Sequence, residues 1–473
     1  MPRGTNRTEF SIRQSTTSPG GLLPPLYKQK GRGVSERMRR KVLTAVVVVS
    51  LVTLLIFLSV QVCIAKLRLN GATRFSCEDK NTRGTYSLKT VGFLSNSHSV
   101  YCAVYHAVRL AQNRVDITTY FWSHNLDTLP CGFVRAVGAA LARRKSALDV
   151  YVMCNRTYWG ISMASLTYNM SSSVHYWKQI GVCDAQAQRF RWFCYTHTGL
   201  DNLHGKVVSC DGGSGLSVVW SGNVANDVDP DHDYHINDNG LWMTGLAENN
   251  ELYQYTTETQ RHCSEITSLV RQKVGIDRPA GLGIYEVLDW GPTPTSCHRN
   301  LPAQILFSPL RTKLWYHVRT SELARVVLSI LRAARSSICI FGPNWGDIAC
   351  WQATLDSSAT DIRIVVQRNF DGVVPFIQKF LAGNRTNAQF HNEVVVPSAT
   401  RRVQYHSTKG GQPILHGRGI IVDRETVILG SLICHTYGMI DSSELVVVVH
   451  DTSFAEEVLV KQFQPIWTNS EPY

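Results

Sequence analysis

The chain has 473 residues, of which 44% are hydrophobic, so it is long and apolar enough to bury a sizeable core in two ordinary domains or one large duplicated domain. Its formal net charge is +12, but the segment 1–41 alone carries ten Lys or Arg and two Glu, a net charge of +8. The rest of the chain is nearly neutral for its length, which excludes net charge as an argument that it binds nucleic acid.

Residues 1–41 are rich in Ser, Thr, Gly and Arg and have no apolar cluster to bury, which predicts a disordered cytosolic tail. Within this tail, Pro24-Pro25-Leu26-Tyr27 fits the pattern P-P-x-Y, which docks WW domains as a polyproline helix. A WW-domain protein is therefore a candidate partner, and an inert linker is the alternative.

A membrane anchor is predicted from Val42 to Ala65, because this run carries no charge and is long enough to cross the hydrocarbon core. The basic residues just before this run predict a cytosolic N-terminus. A cleaved signal peptide is the alternative, but the charged region is too long and the apolar run too extended for it. We therefore expect a single-pass type II membrane protein whose larger part is lumenal or extracellular.

Cysteines and glycosylation sequons agree with this location. Twelve of the 13 Cys follow the anchor, an even number that predicts disulfides in an oxidising compartment, although their pairing cannot be deduced. The sequons beyond the anchor begin at Asn155, Asn169 and Asn384.

Helices and strands are predicted to alternate after a lead-in at residues 67–90. Apolar residues at helical spacing predict helices at 99–113 and 133–144, and apolar runs predict strands at 115–122 and 148–153. This order predicts an α/β fold with a mixed or mainly parallel sheet and helices on both faces.

The second half of the chain repeats this plan, with helices predicted at 321–335 and 374–381 and strands at 338–341 and 362–366. The repeat is also visible in the letters, because the segment from Ala111 to Ile117 matches the segment from Ala334 to Ile340. We therefore predict a duplicated domain with a mixed sheet in each half and a site between the halves.

The boundary between the halves is predicted in the Pro- and Gly-rich stretch at 279–302. The expected divisions are a tail at 1–41, an anchor at 42–65, a first half at 66–290 and a second half at 291–473.

One motif occurs once in each half and has the form H-x-(K/R)-x4-D. The first copy is His204, Lys206 and Asp211, and the second is His416, Arg418 and Asp423. Each copy opens an apolar strand, which is followed by a turn and a second strand at 216–220 or 426–429. Because alternate residues of a strand face the same way, the imidazole and the cation share a face that can grip a phosphate.

Two histidines from two similar halves suit a two-step displacement at phosphorus. One imidazole attacks and forms a phosphohistidine, while the other protonates the leaving oxygen and then deprotonates a water. Lys206 and Arg418 would neutralise the non-bridging oxygens, and Asn223 could donate to the same oxygens. This chemistry needs no metal or other cofactor. For any single residue of the motif, a structural role is the alternative.

The paired motifs resemble those of the phospholipase D superfamily. The tail, the single anchor and the duplicated ectodomain are similar to its type II membrane lysosomal branch, and the resemblance covers nearly all of residues 90–473. It implies His204 as the nucleophile, His416 as the general acid and base, and Lys206, Asn223 and Arg418 as phosphate ligands. It also implies an endolysosomal location and either 5′-exonuclease action on single-stranded DNA and RNA or phospholipid chemistry.

The second motif departs from the family pattern at two positions. Arg418 stands where the family has Lys, and a guanidinium is larger and planar. Ile433 stands where the family has Asn, whereas the first half keeps Asn223. The family also carries a carboxylate beyond each motif to orient the histidine. Asp238 and Glu444 are in suitable places for this support, and Asp211 and Asp423 are also counted as supports, with a turn role as the alternative.

Two weaker sites have structural alternatives. A divalent metal site is conceivable in a cluster of acidic residues and histidines, but the missing ligand spacing favours a solvated loop. That cluster comprises Asp229, Asp231, His232, Asp233 and His235, with Asp238 close by. Aromatic residues near the motifs, either stacked on bases or in the core, are Trp220, Trp242, Phe341 and Trp345.

Three functions follow from these patterns. The first is a membrane-anchored lumenal phosphodiesterase that trims single-stranded nucleic acid from its 5′ end. The second is a hydrolase or transferase of phospholipids, since the motif reads the phosphodiester and not what is attached to it. The third is a catalytically silent homologue that binds nucleic acid or a partner. A second copy of the chain, as a homodimer, is a further candidate partner.

Overall fold

A computed structural model describes residues 40–53, 55, 56, 59, 85–224, 236–265, 297–367 and 401–472, with shorter gaps inside the longer ranges. The chain divides into two compact units, Met1–Phe57 and Leu58–Tyr473. The predicted WW ligand at Pro24–Tyr27 lies outside the described residues.

In the first unit, residues 40–53 are helical, and their large apolar side chains are exposed. Most of the predicted anchor beyond residue 53 lies outside the described residues. Among the residues that are described, no helix is both long enough and apolar enough to cross a membrane.

The second unit is built on one continuous 16-stranded mixed sheet. The strands of the first half are β1 (Thr85–Leu94), β2 (Arg114–Thr118), β3 (Asp149–Asn155), β4 (Thr157–Tyr158), β5 (Ile161–Ser162), β6 (Phe190–Tyr195), β7 (Asn202–Leu203), β8 (Val207–Cys210), β9 (Ser217–Trp220), β10 (Ile236–Asn237), β11 (Gly240–Thr244) and β12 (Ser264–Glu265). Those of the second half are β13 (His298–Phe307), β14 (Ser337–Gly342), β15 (Asp361–Gln367), β16 (Arg401–His406), β17 (Ile414–Leu415), β18 (Gly419–Val422), β19 (Thr426–Gly430), β20 (Ser442–Ser443), β21 (Leu445–His450) and β22 (Glu471–Pro472).

The two halves use the same strand order. The first half runs β6-β3-β2-β8-β9-β11-β1, and the second runs β16-β15-β14-β18-β19-β21-β13. The outer three strands of each half are parallel, and the inner ones are antiparallel. The predicted mixed α/β fold and the duplication of its elements are confirmed by this order.

The expectation of two separate sheets is wrong, because β1 and β13 pair antiparallel and join the halves edge to edge. The sequence pattern places most of β1 in the lead-in at 67–90. Its Leu88 and Val91 are fully buried and pack in one cluster with Leu301 and Ile305 of β13. Joining the halves removes two exposed sheet edges, which would otherwise present unpaired backbone groups.

Helices cover both faces of the sheet. They are α1 (Ser97–Leu110), α2 (Gly132–Ala142), α3 (Asp184–Ala187), α4 (Glu251–His262), α5 (Glu322–Ala333), α6 (Ile348–Leu355), α7 (Thr452–Val458) and α8 (Gln464–Thr468), with a π-helical turn at Leu459–Phe463. Three predicted helices are confirmed. The helix predicted at 99–113 is α1, the one at 133–144 is α2, and the one at 321–335 is α5. The helix predicted at 374–381 lies outside the described residues.

Three apolar cores hold these layers together. One lies in the first half beneath α1 and α2, and one lies in the second half beneath α5 and α6. The third lies on the opposite face and is shared by both halves, since it includes Leu203 and Val207 as well as Leu415 and Val447. This shared core packs directly behind both H-x-(K/R) motifs and fixes them relative to each other.

Asp211 and Asp423 close the turns between helix and strand and do not face the site. Both have a positive φ, 51° and 54°. The Asp423 carboxylate accepts backbone N–H bonds from Arg335, Ser336 and Ser337, and Asp211 does the same for residues 112–114. Burial raises the pKa of the Asp423 carboxyl, but these donors outweigh it and hold the pKa below its usual value. The expectation that these residues support the site directly is therefore corrected.

Eight described cysteines are thiols, so the disulfides expected from the even number do not form at these positions: Cys154, Cys183, Cys194, Cys210, Cys263, Cys297, Cys339 and Cys434. Cys77 and Cys131 lie outside the described residues. Several of the eight thiols fill small apolar positions in the cores, as free cysteine commonly does. Cys339 and Cys434 are examples from the second half, and each is 5% exposed.

We expect Asp423→Ala to lower the free energy of unfolding by about 1–2 kcal/mol, because three backbone donors lose their acceptor, as in the loss of a helix cap. Chemical denaturation measures this change. Glu425→Ala alters an exposed neighbour in the same turn and serves as the control, with an expected change below about 0.5 kcal/mol. Equal stability of Asp423→Ala and the wild-type chain would contradict the role of the carboxylate.

Candidate active site

Two short parallel ladders carry the motif histidines across the boundary between the halves. β7 of the first half pairs with β20 of the second, and β10 of the first pairs with β17 of the second. The backbone N–H groups of His204 and Gly205 donate to Ser443 O at 2.9 and 2.7 Å. Those of His416 and Gly417 donate to Asn237 O at 3.2 and 2.6 Å. Each histidine is thus held by main chain from the opposite half.

The residue after each of these carbonyls supplies the carboxylate that orients the histidine. Glu444 follows Ser443, and its carboxylate oxygens lie 2.8 and 2.9 Å from His204 Nδ1. Asp238 follows Asn237, and its Oδ1 lies 2.7 Å from His416 Nδ1. The pairing is therefore crossed, because each imidazole is oriented by the other half. It agrees with the supporting role predicted for Asp238 and Glu444.

Serines hold the two carboxylates in turn. Ser431 Oγ donates to Glu444 at 2.6 Å, and Ser221 Oγ donates to Asp238 at 2.7 Å. Sequence reasoning missed both serines, although each one follows the strand after its motif by one residue. Since Nδ1 of each imidazole faces a carboxylate, Nε2 is the nitrogen directed toward a substrate.

The cations of the two motifs are buried at the same place and are used differently. Lys206 is fully buried, and its Nζ donates to the carbonyl oxygen of His204 at 2.6 Å. Arg418 is 4% exposed, and its Nη2 lies 3.0 Å from His416 Nε2, while Nη1 donates to Ser221 O. Lys206 thus bonds main chain, whereas Arg418 bonds the imidazole itself.

Burial dominates the electrostatics of this cluster. It lowers the pKa of Lys206 well below its usual value and the pKa of Arg418 to about 10. It raises the pKa of Glu444 to about 8, against the opposing effect of Lys206. Burial and then the nearby Arg418 lower the pKa of His416 to about 4, although Asp238 opposes this change.

These interactions confine two cations and two carboxylates to one buried cluster with both histidines. The electrostatic neighbours of Lys206 are Arg418, Glu444 and Asp238, so side chains of both halves share the site. If all four are ionised and both imidazoles are neutral, their formal charges cancel. A bound phosphodiester then adds one negative charge, which one protonated imidazole can match.

Asn223 follows Ser221 by two residues, and the corresponding position of the second half is Ile433 instead of an asparagine. An isolated bridge joins Trp122 to Val224, and the equivalent bridge joins Trp345 to Cys434. Asn223 and Ile433 therefore occupy equivalent positions, as the sequence indicated, although Ile433 itself lies outside the described residues. Among the described residues, no donor lies within hydrogen-bond distance of the buried Oδ1 atom of Asn223.

Asn155 positions the segment that carries His204, and sequence reasoning missed this role. Its Nδ2 donates to Leu203 O at 2.8 Å and to Tyr120 O at 3.1 Å, and its Oδ1 accepts from Leu203 N at 3.1 Å. The side chain is 6% exposed, so the predicted glycosylation at Asn155 is incompatible with the folded chain. The sequons at Asn169 and Asn384 lie outside the described residues.

Gln367 does the same in the second half. It ends β15 as Asn155 ends β3, and its Oε1 accepts from Leu415 N at 2.7 Å, just before His416. The signal that could have found this pair is spacing, because Asn155 and Gln367 are as far apart along the chain as the two motif histidines are. Each half thus uses one buried amide to fix the residue before its histidine.

The two weaker sites have different outcomes. The predicted cluster at residues 229–235 lies outside the described residues, and no group of three or more His, Cys, Asp or Glu among those described could hold a metal ion. The aromatic residues considered for base stacking are at most 5% exposed and belong to the cores, which corrects that interpretation: Trp220, Trp242, Phe341 and Trp345.

Comparison with known proteins supports the fold. No protein-family model matches the chain, and no curated protein matches its sequence. The chain is similar in structure to phosphatidylserine synthase of Haemophilus influenzae Rd KW20, with a TM-score of 0.59 and 13% identity over 86% of this chain and 92% of that chain. The shared feature at this identity is the fold.

Two further structures are similar at lower scores, which carry no argument of their own. Nuc from Salmonella typhimurium, a phospholipase D family member, has 22% identity and a TM-score of 0.28 over 36% of this chain and 97% of that chain. The polyphosphate kinase of Porphyromonas gingivalis has 12% identity and a TM-score of 0.42 over 80% and 46%.

We expect Asn155→Asp to destabilise the chain by about 1–3 kcal/mol, because a carboxylate oxygen would face the two carbonyl oxygens that Nδ2 now bonds. Thr157→Ala removes the same sequon without changing Asn155, and it should leave the stability unchanged. When the protein is made in mammalian cells, this variant should also have the same electrophoretic mobility as the wild-type protein. A faster-migrating Thr157→Ala protein would show that the sequon carries a glycan and would contradict the buried contact.

Proposed function

We propose that the chain is a phosphodiesterase that works through a covalent phosphohistidine on His204. The observation that supports this most directly is the crossed arrangement, in which two buried imidazoles are each held at Nδ1 by a carboxylate with a buried cation two residues away. Such an arrangement leaves Nε2 as the ring nitrogen of each histidine that is not bonded to a carboxylate, and therefore the one suited to chemistry at phosphorus.

In the first step, His204 Nε2 attacks phosphorus, an N–P bond forms and the bond to the leaving oxygen breaks. His416 Nε2 gives its proton to that oxygen. In the second step, His416 takes a proton from water, the water oxygen bonds phosphorus and the N–P bond breaks. Glu444 stabilises positive charge on His204, while Lys206, Arg418 and Asn223 bind the non-bridging oxygens.

Single-stranded nucleic acid with a free 5′ end is the proposed substrate, and the lumen of an endosome or lysosome is the proposed location. This step rests on the resemblance of the tail, the anchor and the paired motifs to the lysosomal branch of the phospholipase D superfamily. The anchor and the homodimer remain predictions.

A phospholipid substrate is the second candidate. The observation that favours it is the fold shared with phosphatidylserine synthase over 86% of the chain. The side chains of the cluster recognise a phosphodiester and not the groups attached to it, so hydrolysis and phosphatidyl transfer are both within its chemistry.

A catalytically silent homologue is disfavoured by the retained polar machinery. Burying two carboxylates and two cations is costly, and proteins do so where the charges are paired or functional. Only the replacement of Lys by Arg418 and of Asn by Ile433 speaks for loss of activity.

We expect full-length protein at pH 5 to shorten a single-stranded oligonucleotide, labelled at its 3′ end, from the 5′ end. His204→Ala and His416→Ala should each reduce the rate by at least about 10³-fold, because removing a nucleophile or general acid costs several kcal/mol. His98→Ala, which changes an exposed histidine, is the control. Binding of the oligonucleotide without cleavage would support the silent homologue, and cleavage of phospholipid vesicles alone would support the second candidate.

The rate should follow a bell-shaped pH profile with an acidic optimum. Protonation of His204 removes the nucleophile at low pH, and loss of the proton from His416 removes the general acid as the pH rises. EDTA should leave the rate unchanged. A flat profile from about pH 4 to 9 would exclude the two-histidine mechanism.

A further inference from the structure

The Arg418 side chain is bonded to the nitrogen of His416 that the reaction needs. Nη2 lies 3.0 Å from His416 Nε2, and Nη1 donates to Ser221 O. The main chain of Arg418 is fixed separately, because its N–H donates to Asn239 Oδ1 at 2.8 Å and its carbonyl accepts from Asn239 Nδ2 at 3.1 Å. The guanidinium can therefore change partner while the backbone stays in place.

This contact determines the protonation state of His416. Nδ1 carries a proton that it donates to Asp238 Oδ1, so the neutral ring has its lone pair at Nε2. Arg418 has no acceptor atom and must donate to that lone pair. A proton on Nε2 would place two donors of like charge 3.0 Å apart. The general-acid form of His416 and its contact with Arg418 thus exclude each other.

The surroundings of Arg418 leave part of the hydrogen-bonding capacity of its guanidinium unused. Its Nε is buried and has no hydrogen-bond partner among the residues that the structure describes. Beside it is a cavity of about 20 Å³ with a mostly apolar lining that includes Trp345, Leu432 and Cys434. A phosphate oxygen would give the guanidinium charge-assisted bonds that are stronger than its bond to a neutral imidazole.

We propose that Arg418 is a substrate-released lock, which keeps His416 unprotonated at Nε2 until a phosphodiester draws the guanidinium away. Resting on the proposed function, the inference assigns Arg418 control of the general acid in addition to binding phosphate. When the lock opens, Nε2 takes one proton from solvent, and Nδ1 keeps its bond to Asp238. The proton then passes to the leaving oxygen.

The charged groups around His416 have opposing effects on its protonation. Asp238 favours the imidazolium, whereas Arg418 and Lys206 disfavour it. Glu444 lies close to both cations and partly offsets them. A phosphate anion between the two cations would offset them further, so screening by the ligand and release of Arg418 both favour protonation of His416.

The two halves differ in a way that agrees with separate roles. Lys206 donates to the carbonyl oxygen of His204 and not to its ring. The cation of the first motif therefore does not hold the imidazole of its own motif as Arg418 holds that of His416. Arg418 can bridge Ser221 O and His416 Nε2 at once because the guanidinium is a planar fork with several donors, which a lysine ammonium cannot reproduce.

If Arg418 acts as this lock, the binding of phosphate and the protonation of His416 are thermodynamically coupled. Binding of an anion should raise the pKa of His416, and protonation of His416 should tighten binding of the anion by the same factor. Phosphate affinity should therefore increase as the pH falls toward the pKa of the free site.

The test is an NMR pH titration of the full-length protein labelled with ¹³C and ¹⁵N in its histidines, with and without inorganic phosphate. The His416→Asn variant assigns the His416 resonances. We expect phosphate to raise the pKa of His416 by at least about one unit, which corresponds to tenfold tighter anion binding by the protonated site. In Arg418→Lys, the pKa without phosphate should already be higher by about one unit, and phosphate should raise it much less.

Arg424→Lys, which changes an exposed arginine in the turn after the second motif, should titrate as the wild-type chain does. If Arg418→Lys fails to fold, the wild-type titration decides alone. A pKa of His416 that phosphate leaves unchanged overturns the proposal, as does an equal pKa in wild type and folded Arg418→Lys. A phosphate-linked rise in a chain that cleaves no phosphodiester would support the lock and overturn the proposed function, whereas cleavage without the rise would do the reverse.

Discussion

Every functional feature of this molecule depends on the crossed hydrogen bonds between His204 and Glu444 and between His416 and Asp238. Each bond joins one half of the chain to the other, so its two partners are far apart in sequence. Neither half supplies both a motif histidine and the carboxylate that orients it, so the site exists only when the halves are docked. The β1–β13 junction and the shared apolar core provide that docking, which links the large fold to an arrangement of a few side chains.

Charge balance explains why such a polar cluster is tolerated in the interior. An isolated buried charge costs several kcal/mol, and even a paired one rarely gains stability. Here two cations and two carboxylates lie together, and serines and main-chain groups occupy part of their hydrogen-bonding capacity. Opposite charges thus offset one another in the cluster, and among the described residues Arg418 Nε has no hydrogen-bond partner. This combination suits a monoanionic ligand that arrives with a proton.

Local sequence patterns predicted the helices and strands. They missed the features that depend on contacts between residues far apart in the chain. Apolar periodicity located α1, α5 and the strands of the motifs, and the spacing of His204 and Lys206 found one side of the site. The single sheet was missed because β1 pairs with a strand from the other half of the chain, which no local pattern encodes. Asn155 was misread as a glycan acceptor because a short sequon says nothing about burial. Asp211 and Asp238 look alike in sequence, and only tertiary contacts separate a turn residue from one that orients an imidazole.

The second motif differs from the first in the hydrogen bonds that its cation makes, because Arg418 bonds the imidazole ring and Lys206 bonds main chain. The family pattern implies an asparagine at position 433, the sequence counterpart of Asn223 in the first half. Ile433 stands there instead, and the nearby cavity beside Arg418 is mostly apolar. The guanidinium bonds Ser221 O and the ring of His416. Because Arg is longer than Lys and forked, it can hold both partners at once, and we propose that a phosphate is the group that releases it.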